Sequence, residues 1–464
     1  MSRADEAGEA GSGRRKTERV AAPYSGYHAA TVERRDDAEL TRVGPGTPCG
    51  EYLRRYWHPI ALVGEIGERP LAIRVLGEDL VLFRDLAGRL GLLHRHCLHR
   101  GASLEFGIPS DQGIRCCYHG WKFDIDGTIL ETPAEPPSSK IRTAFCQGAY
   151  PVREFAGLVF AYLGPPEAMP PMPVLDSFVY PAGNELVPYK LEQPSNWLQA
   201  HENGADAIHS AFLHADLGQS FTPVFGALPV IDFFETPLGV LAIAVRRWGP
   251  NLYVRASDVF LPNFAQFGSG YIDGTYEKLA FSAWTTRWIV PIDDTHCWTI
   301  GLRHINEVMD PRGESDRSAI GLGKVDLPGQ TGDRPYAERQ REPGDYDAQV
   351  SQGAITSHAS EHLGTTDRGI AMLRRRLRAQ IRAVGRGEAP DCPDFSAGET
   401  TPTYIHEIVV TVPPPEDGDD IAQRRDFGRR IAAIVIESGS EPPDRRRAVV
   451  EERLRALKVG EPAS

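Results

Sequence analysis

The chain has 464 residues, with 51 Lys and Arg against 63 Asp and Glu, which gives a formal net charge of −12 at pH 7. This length predicts roughly two to four domains, and the negative charge disfavours nonspecific binding to nucleic acid or anionic membranes. No run of about 18 apolar residues occurs, so we expect no membrane span. The seven cysteines are an odd and scattered set rather than a disulfide framework, which predicts a protein of the reducing cytoplasm.

Residues 1–40 are predicted to form a disordered tail, because they are rich in Arg, Glu, Gly and Ala. Arg14 and Arg15 could begin a twin-arginine export signal, but such a signal needs an apolar region after the arginines. The charged residues Glu18 and Arg19 interrupt this position. We therefore do not expect export by this route.

Residues 41–165 are predicted to form a small antiparallel β domain. Short apolar runs alternate there with Gly and Asp turn signals, as closely spaced strands do. The runs are Leu71–Val75, Leu80–Phe83, Leu90–Leu93 and 157–162. A proline-rich stretch over residues 164–173 then indicates a linker or domain edge.

Residues 166–390 are predicted to form a larger α+β domain. The proline-free segment Asn196–Leu213 favours a helix, and three apolar segments favour strands, namely Val240–Val245, Phe281–Trp284 and Trp298–Leu302. Residues 306–344 are charged and rich in Gly, Asp and Pro, which predicts a long surface loop.

A helix is predicted from Asp367 onward, because apolar residues recur there at helical spacing. Arg374, Arg375, Arg376 and Arg378 are interpreted as a solvated face of this helix, with an electron-partner patch as the alternative. Residues 391–464 carry no interpretable motif, and we assign them to a C-terminal extension of the same domain.

Four potential metal ligands lie in the β domain, in Cys97-Leu98-His99 and Cys116-Cys117-Tyr118-His119. Two thiolates on one iron and two imidazoles on the other are the ligands of a Rieske 2Fe-2S centre, whose potential of roughly −150 to +300 mV suits one-electron transfer. Cys97, His99, Cys116 and His119 fit that set. A structural zinc site is the alternative, because zinc also takes two cysteines and two histidines.

A second group of potential ligands follows the pattern Asp206-x2-His209-x4-His214. Two histidines and one carboxylate form the facial triad that activates O2 on Fe(II). On an ideal helix His214 lies about 140° round the axis from His209. Both can therefore bind one metal only if the helix ends or bulges between them. The alternative is a pair of ordinary helix-end histidines beside a solvated Asp.

These motifs resemble a known family. Cys97-Leu-His-Arg-Gly101 and Cys116-Cys-Tyr-His-Gly-Trp-Lys-Phe123 are similar to the paired signatures of Rieske domains in aromatic ring-hydroxylating oxygenases. Residues 196–214 resemble the iron-binding segment of their α subunits, and residues 47–59 and 151–164 resemble the phthalate dioxygenase and aryl-ether O-demethylase branch. The resemblance spans about residues 40 to 385, and Cys117 departs from it, since the family often has proline there. Spacing still selects Cys116 as the ligand, because only Cys116 lies three residues before His119, and it leaves Cys117 as a spare thiol. It implies an N-terminal antiparallel β Rieske domain followed by a larger α+β catalytic domain, with an antiparallel sheet of helix-grip type.

The resemblance also implies roles for single residues. An Asp in the position of Asp206 bridges a cluster histidine of the neighbouring subunit and an iron histidine, which implies a head-to-tail homotrimer with electrons crossing between chains. The carboxylate ligand comes from a later helix, where Asp345 is the preferred residue and Asp347 the alternative. Helix N-capping after Pro343 is the structural role open to either acid.

The implied function is that of a terminal oxygenase component, with a 2Fe-2S cluster, a mononuclear Fe(II) and O2 as cosubstrate. It would hydroxylate, and by first preference dihydroxylate, a small aromatic substrate with electrons from a separate NAD(P)H-dependent flavin and iron-sulfur reductase. One alternative is a monooxygenase that demethylates an aryl ether or amine at O or N. Another is a Rieske electron-transfer protein without oxygenase chemistry.

Overall fold

The computed structural model describes residues 23–30, 33–214, 223–268, 278–310, 312–392, 400–415 and 418–457. Across these residues, all of the paired strands are antiparallel. None of the helices within the described ranges is long and apolar enough to cross a membrane.

The N-terminal half consists of short strands in three small sheets, with the orders β1-β11-β10, β2-β3-β4-β9 and β5-β6-β7-β8. Their bounds are β1 (Trp57–Leu62), β2 (Leu71–Val75), β3 (Glu78–Arg84), β4 (Leu90–His94), β5 (Ile108–Pro109), β6 (Ile114–Arg115), β7 (Lys122–Phe123), β8 (Ile129–Glu131), β9 (Ala149–Tyr150), β10 (Val152–Phe155) and β11 (Leu158–Tyr162). The four apolar runs predicted as strands fall on β2, β3, β4 and β11. The predicted small β domain is confirmed.

The second half is built on one large sheet with the order β12-β19-β18-β16-β15-β14-β13, to which β17 and β20 are added. The bounds are β12 (Glu185–Gln193), β13 (Val230–Glu235), β14 (Gly239–Trp248), β15 (Asn251–Phe260), β16 (Phe264–Phe267), β17 (Lys278–Ala280), β18 (Thr285–Pro291), β19 (Cys297–Ile305) and β20 (Glu407–Thr411). Residues 281–284, predicted as a strand, instead form the irregular connection between β17 and β18.

Helices pack on both faces of this sheet. Their bounds, with those of the N-terminal helices, are α1 (Gly26–Ala29), α2 (Ala38–Thr41), α3 (Pro48–Leu53), α4 (Ile141–Ala144), α5 (Asp176–Val179), α6 (Trp197–Glu202), α7 (His209–Phe212), α8 (Tyr336–Arg341), α9 (Asp345–Val350), α10 (Arg368–Gly385), α11 (Asp420–Glu437) and α12 (Pro443–Arg455). Strand β14 shows the arrangement, since Val240 and Ala242 share one core with α10 while Leu241 and Ile243 share another with α11. The predicted α+β class is confirmed.

Two sequence predictions differ from the structure. Within the predicted tail, residues 38–40 begin α2, and Leu40 is fully buried. The predicted solvated face of α10 holds for Arg375, whose side chain is 63% exposed, but not for Arg374, which distant segments pair with Glu202 at 2.5 Å and with Glu361 at 2.6 Å. Residues 1–22 lie outside the described part of the chain, and the limits proposed for the domains stay predictions.

Candidate active site

Two loops present the cysteines and histidines of the β domain. Both are closed in the same way: the N–H of Gly101 donates to the carbonyl of Cys97 at 2.8 Å, and the N–H of Gly120 donates to the carbonyl of Cys116 at 3.1 Å. The two glycines have φ of 78° and 71°, a left-handed conformation that glycine adopts without a Cβ penalty. The paired Gly residues of the motif therefore shape the two ligand loops.

The side chains on these loops form one compact group. The imidazole of His99 stacks on Trp121 with ring centroids 4.3 Å apart, and its centroid lies 4.7 Å from that of His119. Cys97 and Cys116 are each 3% exposed. Burial raises the pKa of the Cys97 thiol to about 11, although the backbone N–H of His99 directed at the sulfur opposes this shift. Such a buried thiol is suited to binding metal, which displaces its proton, rather than to acting as an exposed nucleophile.

The adjacent cysteines of the second loop occupy different environments. Cys116 is buried, whereas Cys117 is exposed. This matches the expectation from spacing, which selects Cys116 as the ligand and leaves Cys117 as a spare thiol.

The predicted helix over Asn196–Leu213 is broken into two. Helix α6 ends at Glu202, and a 3₁₀ turn over Asn203–Ala205 follows it. Asp206 then has an extended backbone, and α7 ends at Phe212. His214 therefore lies beyond the end of the helix that begins at His209, and their ring centroids are 5.2 Å apart. Because the helix ends between the two histidines, their five-residue spacing no longer directs the side chains to different faces, and both can bind one metal.

Asp345 joins these two histidines. Its Oδ1 lies 3.3 Å from Nε2 of His214 and 3.7 Å from Nε2 of His209, and the three potential ligand atoms all lie within 4.8 Å of one another. Burial by itself raises the pKa of Asp345, but the hydrogen bond and charge of His214, with the charges of His209 and Arg287, hold it far below its usual value. An ionised carboxylate facing two imidazole nitrogens is the donor set that fits a mononuclear iron.

Asp347 has a different environment from Asp345. Its carboxylate accepts a hydrogen bond from the N–H of Gly344 at 3.0 Å and pairs with Arg339 at 2.6 Å and Arg334 at 3.3 Å. The structural role of capping α9 is therefore filled by Asp347, while Asp345 faces the histidines. Because both acids lie in the first turn, the sequence alone left the choice open.

Asp206 contacts the other side of the His209 ring. Its Oδ2 lies 3.6 Å from Nδ1 of His209, and its Oδ1 accepts hydrogen bonds from the N–H groups of Ile208 at 3.0 Å and His209 at 3.3 Å. Asp206 thus precedes α7 and does not share a helix face with His209. Although burial opposes the shift, the Asp206 and Asp345 carboxylates raise the pKa of His209.

A pocket opens beside His209, His214 and Asp345. Polar and apolar residues both line it, and among them are three aromatic side chains and two arginines of the large sheet, namely Phe225, Phe267, Trp284, Arg255 and Arg287. Nη2 of Arg287 donates to Oδ1 of Asn203 at 3.0 Å, and its guanidinium lies 4.5 Å from the ring centroid of Phe267. Sequence reasoning did not single out these arginines, because alternation along a strand does not show which face lines a cavity.

Two amide side chains also reach Asp345. Nδ2 of Asn203 lies 3.3 Å from Oδ1, and Nε2 of Gln330 lies 2.6 Å from Oδ2. Asn203 lies within residues 196–214, the segment that resembles the family's iron-binding segment. No sequence signal pointed to Gln330, which lies in the predicted loop between residues 306 and 344.

Comparisons with known proteins agree with this geometry. Residues 56–155 match the Rieske [2Fe-2S] domain. The chain is 44% identical over 403 residues to the tert-butanol monooxygenase / tert-amyl alcohol desaturase oxygenase subunit of Aquincola tertiaricarbonis, covering 82% of this chain and 84% of the relative. It is 38% identical over 401 residues to the phenoxybenzoate dioxygenase subunit alpha of Ectopseudomonas oleovorans, covering 82% of this chain and 93% of that relative. It is 34% identical over 365 residues to the 5,5'-dehydrodivanillate O-demethylase oxygenase subunit of Sphingobium sp. (strain NBRC 103272 / SYK-6), covering 76% of this chain and 81% of that relative.

The fold is also that of a solved structure, the QL mutant of NdmA of Pseudomonas putida CBB5 with caffeine, at a TM-score of 0.54 and 20% identity, covering 73% of this chain and 94% of that one. The match to a Rieske domain removes the zinc alternative, and the relatives over most of the chain are oxygenase subunits rather than electron carriers. The chain belongs to the Rieske non-haem iron oxygenases as an oxygenase subunit with a 2Fe-2S cluster, a mononuclear iron and O2 as cosubstrate.

Proposed function

We propose that this chain is the terminal oxygenase of a cytoplasmic multicomponent system that hydroxylates a small aromatic compound bearing an acidic group. A separate NAD(P)H-dependent flavin and iron-sulfur reductase supplies the electrons. The observation that carries the proposal is the convergence of His209, His214 and Asp345 beside a pocket whose lining includes three aromatic side chains and two arginines.

Two sets of residues hold the metals in this proposal. Cys97, His99, Cys116 and His119 hold the 2Fe-2S cluster, and His209, His214 and Asp345 hold the iron. When bound, the cluster supplies single electrons and the iron supplies the activation of O2. Oδ2 of Asp206 lies 3.6 Å from Nδ1 of His209, which would favour a proton on that nitrogen and leave Nε2 for the metal.

The acidic group of the substrate is inferred from Arg287. Within the described chain, no carboxylate oxygen lies within 4.0 Å of this guanidinium, and its Nη2 donates to the neutral amide of Asn203 at 3.0 Å. Arg255 lies nearby with its Nε unbonded and 3.8 Å from the nearest carboxylate oxygen, on Glu407. Removing a cation from water without a hydrogen-bonded counterion is costly. A carboxylate on the substrate would supply that partner in a bidentate geometry.

A second candidate is oxygenation of a neutral alcohol. It is favoured by the 44% identity to a tert-butanol monooxygenase subunit, whereas the names of the phenoxybenzoate and dehydrodivanillate relatives contain aromatic acids. Demethylation also fits the same iron site, because one oxygen atom then enters a methyl carbon and the resulting hemiacetal breaks down.

Single turnover of the fully reduced protein with ¹⁸O2 separates these functions. Phenoxybenzoate, phthalate, vanillate and tert-butanol are the probes, and the products are analysed by mass spectrometry. Two labelled atoms in one product indicate dihydroxylation, whereas loss of formaldehyde indicates demethylation. Turnover of tert-butanol without turnover of any acid would contradict the proposed substrate class.

Arg287→Gln tests the substrate contact directly, with Arg375→Gln on the exposed surface as the matched control. We expect the KM for an aromatic acid to rise by about 30-fold, equivalent to ~2 kcal/mol, because a buried charge pair is lost. The KM for the matching neutral methyl ester should not change. An equal effect on acid and ester would contradict the carboxylate contact.

We also propose that the protein works as a homotrimer in which Asp206 links the iron of one chain to the cluster of its neighbour. The support is that the Asp206 side chain keeps 31% of its surface exposed while contacting His209. Analytical ultracentrifugation tests this assembly, and a monomer that retains full turnover would contradict it.

A further inference from the structure

We propose that Gln330 is a positioning residue that holds one oxygen of Asp345 and leaves the other oxygen for the iron. This inference rests on the proposed iron site. It assigns a function to the long loop that precedes α9.

The two oxygens of Asp345 have different partners. Oδ1 faces the imidazoles, at 3.3 Å from Nε2 of His214 and 3.7 Å from Nε2 of His209, and it also accepts a long hydrogen bond from Nδ2 of Asn203 at 3.3 Å. Oδ2 accepts a hydrogen bond from Nε2 of Gln330 at 2.6 Å. Because an ionised carboxylate only accepts hydrogen bonds, the NH₂ end of the glutamine must face it. This charge-assisted hydrogen bond is of the stronger class, and it fixes the carboxylate plane.

The backbone beside Gln330 is pressed against the start of α9. The N–H of Tyr346 donates to the carbonyl of Gly329 at 3.0 Å. A Cβ on Gly344 would lie 2.3 Å from Cα of Gly329, and Gly329 has φ of +77°, so neither position accepts a larger residue without a shift. This glycine contact sets residue 330 opposite residue 345. The loop and the helix that carries Asp345 are therefore held in register.

This arrangement has a consequence for the metal. A carboxylate that binds through both oxygens takes one more coordination position than a carboxylate that binds through one. Because Oδ2 carries the shorter amide hydrogen bond and Oδ1 is the oxygen that faces the imidazoles, we expect Asp345 to offer Oδ1 alone to the metal, which would leave a further coordination position for O2. Open positions are what the facial triad requires for O2 chemistry.

The test measures Fe(II) binding to the full-length protein, with Gln330→Leu, Gln330→Asn and Gln330→Glu beside wild type. Gln340→Leu is the matched control, because Gln340 is exposed on α8 and its side chain donates to the hydroxyl of Tyr336 at 3.2 Å rather than to a carboxylate of the site. Two readouts are independent of turnover: the dissociation constant for Fe(II), and the coordination number from near-infrared magnetic circular dichroism. The Rieske absorption spectrum reports whether each variant is folded.

We expect Gln330→Leu to weaken Fe(II) binding by about 10–100-fold, the usual effect of losing a residue that orients a metal ligand. Gln330→Asn, which keeps the amide but shortens its reach, should lose less. Gln330→Glu should lose most, because it places a second carboxylate against Asp345. The coordination number should change in the Leu variant and stay unchanged in Gln340→Leu.

The outcomes separate this inference from the proposed function. If wild type binds Fe(II) and the three Gln330 variants bind it with the same affinity and coordination number, the positioning role is wrong while the iron site stands. If Leu and Glu weaken binding equally, the role is steric rather than electrostatic, which also overturns it. If wild type binds no Fe(II), both proposals fail.

Discussion

The imidazole of His209 lies between two carboxylates: its Nδ1 is 3.6 Å from Oδ2 of Asp206, and its Nε2 is 3.7 Å from Oδ1 of Asp345. A histidine that binds metal through one nitrogen and meets a carboxylate through the other has its tautomer and ring orientation fixed. The carboxylate on the Nδ1 side, that of Asp206, keeps part of its surface exposed. Asp206 thus contacts the candidate iron site and, in the proposed trimer, would also reach a neighbouring chain.

Asp206→Asn should reduce turnover by about 10–100-fold while both metals stay bound, because the neutral amide orients His209 less well and no longer pairs with a charge. The measurement is stopped-flow reoxidation of the reduced cluster by O2 in the presence of substrate. Asp126→Asn, in an exposed turn, serves as the control. Wild-type reoxidation in Asp206→Asn would contradict the bridging role.

Asp345→Asn and Asp347→Asn should have opposite effects on metal and stability. Asp345→Asn removes the negative ligand and should lose the mononuclear iron while the cluster spectrum persists. Asp347→Asn should retain the iron but lose about 1 kcal/mol of stability, because Asp347 caps α9 and pairs with Arg339. Iron analysis and thermal melts of the two variants test this, and iron loss in Asp347→Asn alone would reverse the assignment.

The neighbouring cysteines of the second loop offer another matched pair. Cys116→Ser should abolish the Rieske spectrum, because a buried ligand thiol is replaced by a hydroxyl. Cys117→Ser should leave both spectrum and turnover unchanged, since its thiol is exposed. A cluster that survives in Cys116→Ser would show that the spacing rule selected the wrong cysteine.

Asp258 should make stability depend on pH. It is fully buried on β15, where its Oδ2 accepts the N–H of Tyr404 at 2.7 Å, and burial raises its pKa to about 7 from 3.8. The folded state therefore holds a proton that the unfolded chain releases, so the stability present below pH 3.8 is lost as pH rises to about 7.

Asp258→Asn stays neutral at every pH and keeps an acceptor for Tyr404. Its melting temperature should exceed that of wild type at pH 8 by at least about 2 °C, or ~1 kcal/mol for a domain of this size. The excess should shrink at pH 5.5. Thermal melts at the two pH values test this, and a difference that does not vary with pH would mean that Asp258 does not titrate in this range.

Much of the fold follows from local patterns in the sequence. Short apolar runs bounded by Gly and Asp located β2, β3 and β4, and helical spacing of Leu373, Leu377 and Ile381 located α10. Both patterns depend on which residues face a core, and local sequence records this directly. Both ligand motifs could be found for the same reason, because their spacing is local.

What depended on distant contacts could not be predicted. Arg374 looked solvated because Glu202 and Glu361 reach it only in the folded chain. Gln330 lies in a segment predicted only as a loop, and its relation to Asp345 exists because two glycines allow close backbone approach. Asp345 and Asp347 both lie in the first turn of α9, so position along the chain did not show which acid faces the metal site. In the folded chain Asp345 faces the two histidines, and Asp347 pairs with arginines.

The central claim is that one chain holds an electron-transfer cluster and an oxygen-activating iron. The most direct test is iron and acid-labile sulfide analysis, with EPR of the reduced protein, on anaerobically purified wild type and His209→Ala. The account predicts two irons and two sulfides from the cluster plus one further iron in wild type, and loss of that single iron alone in the variant. Wild type and variant with the same iron content, after Fe(II) has been added back, would contradict it.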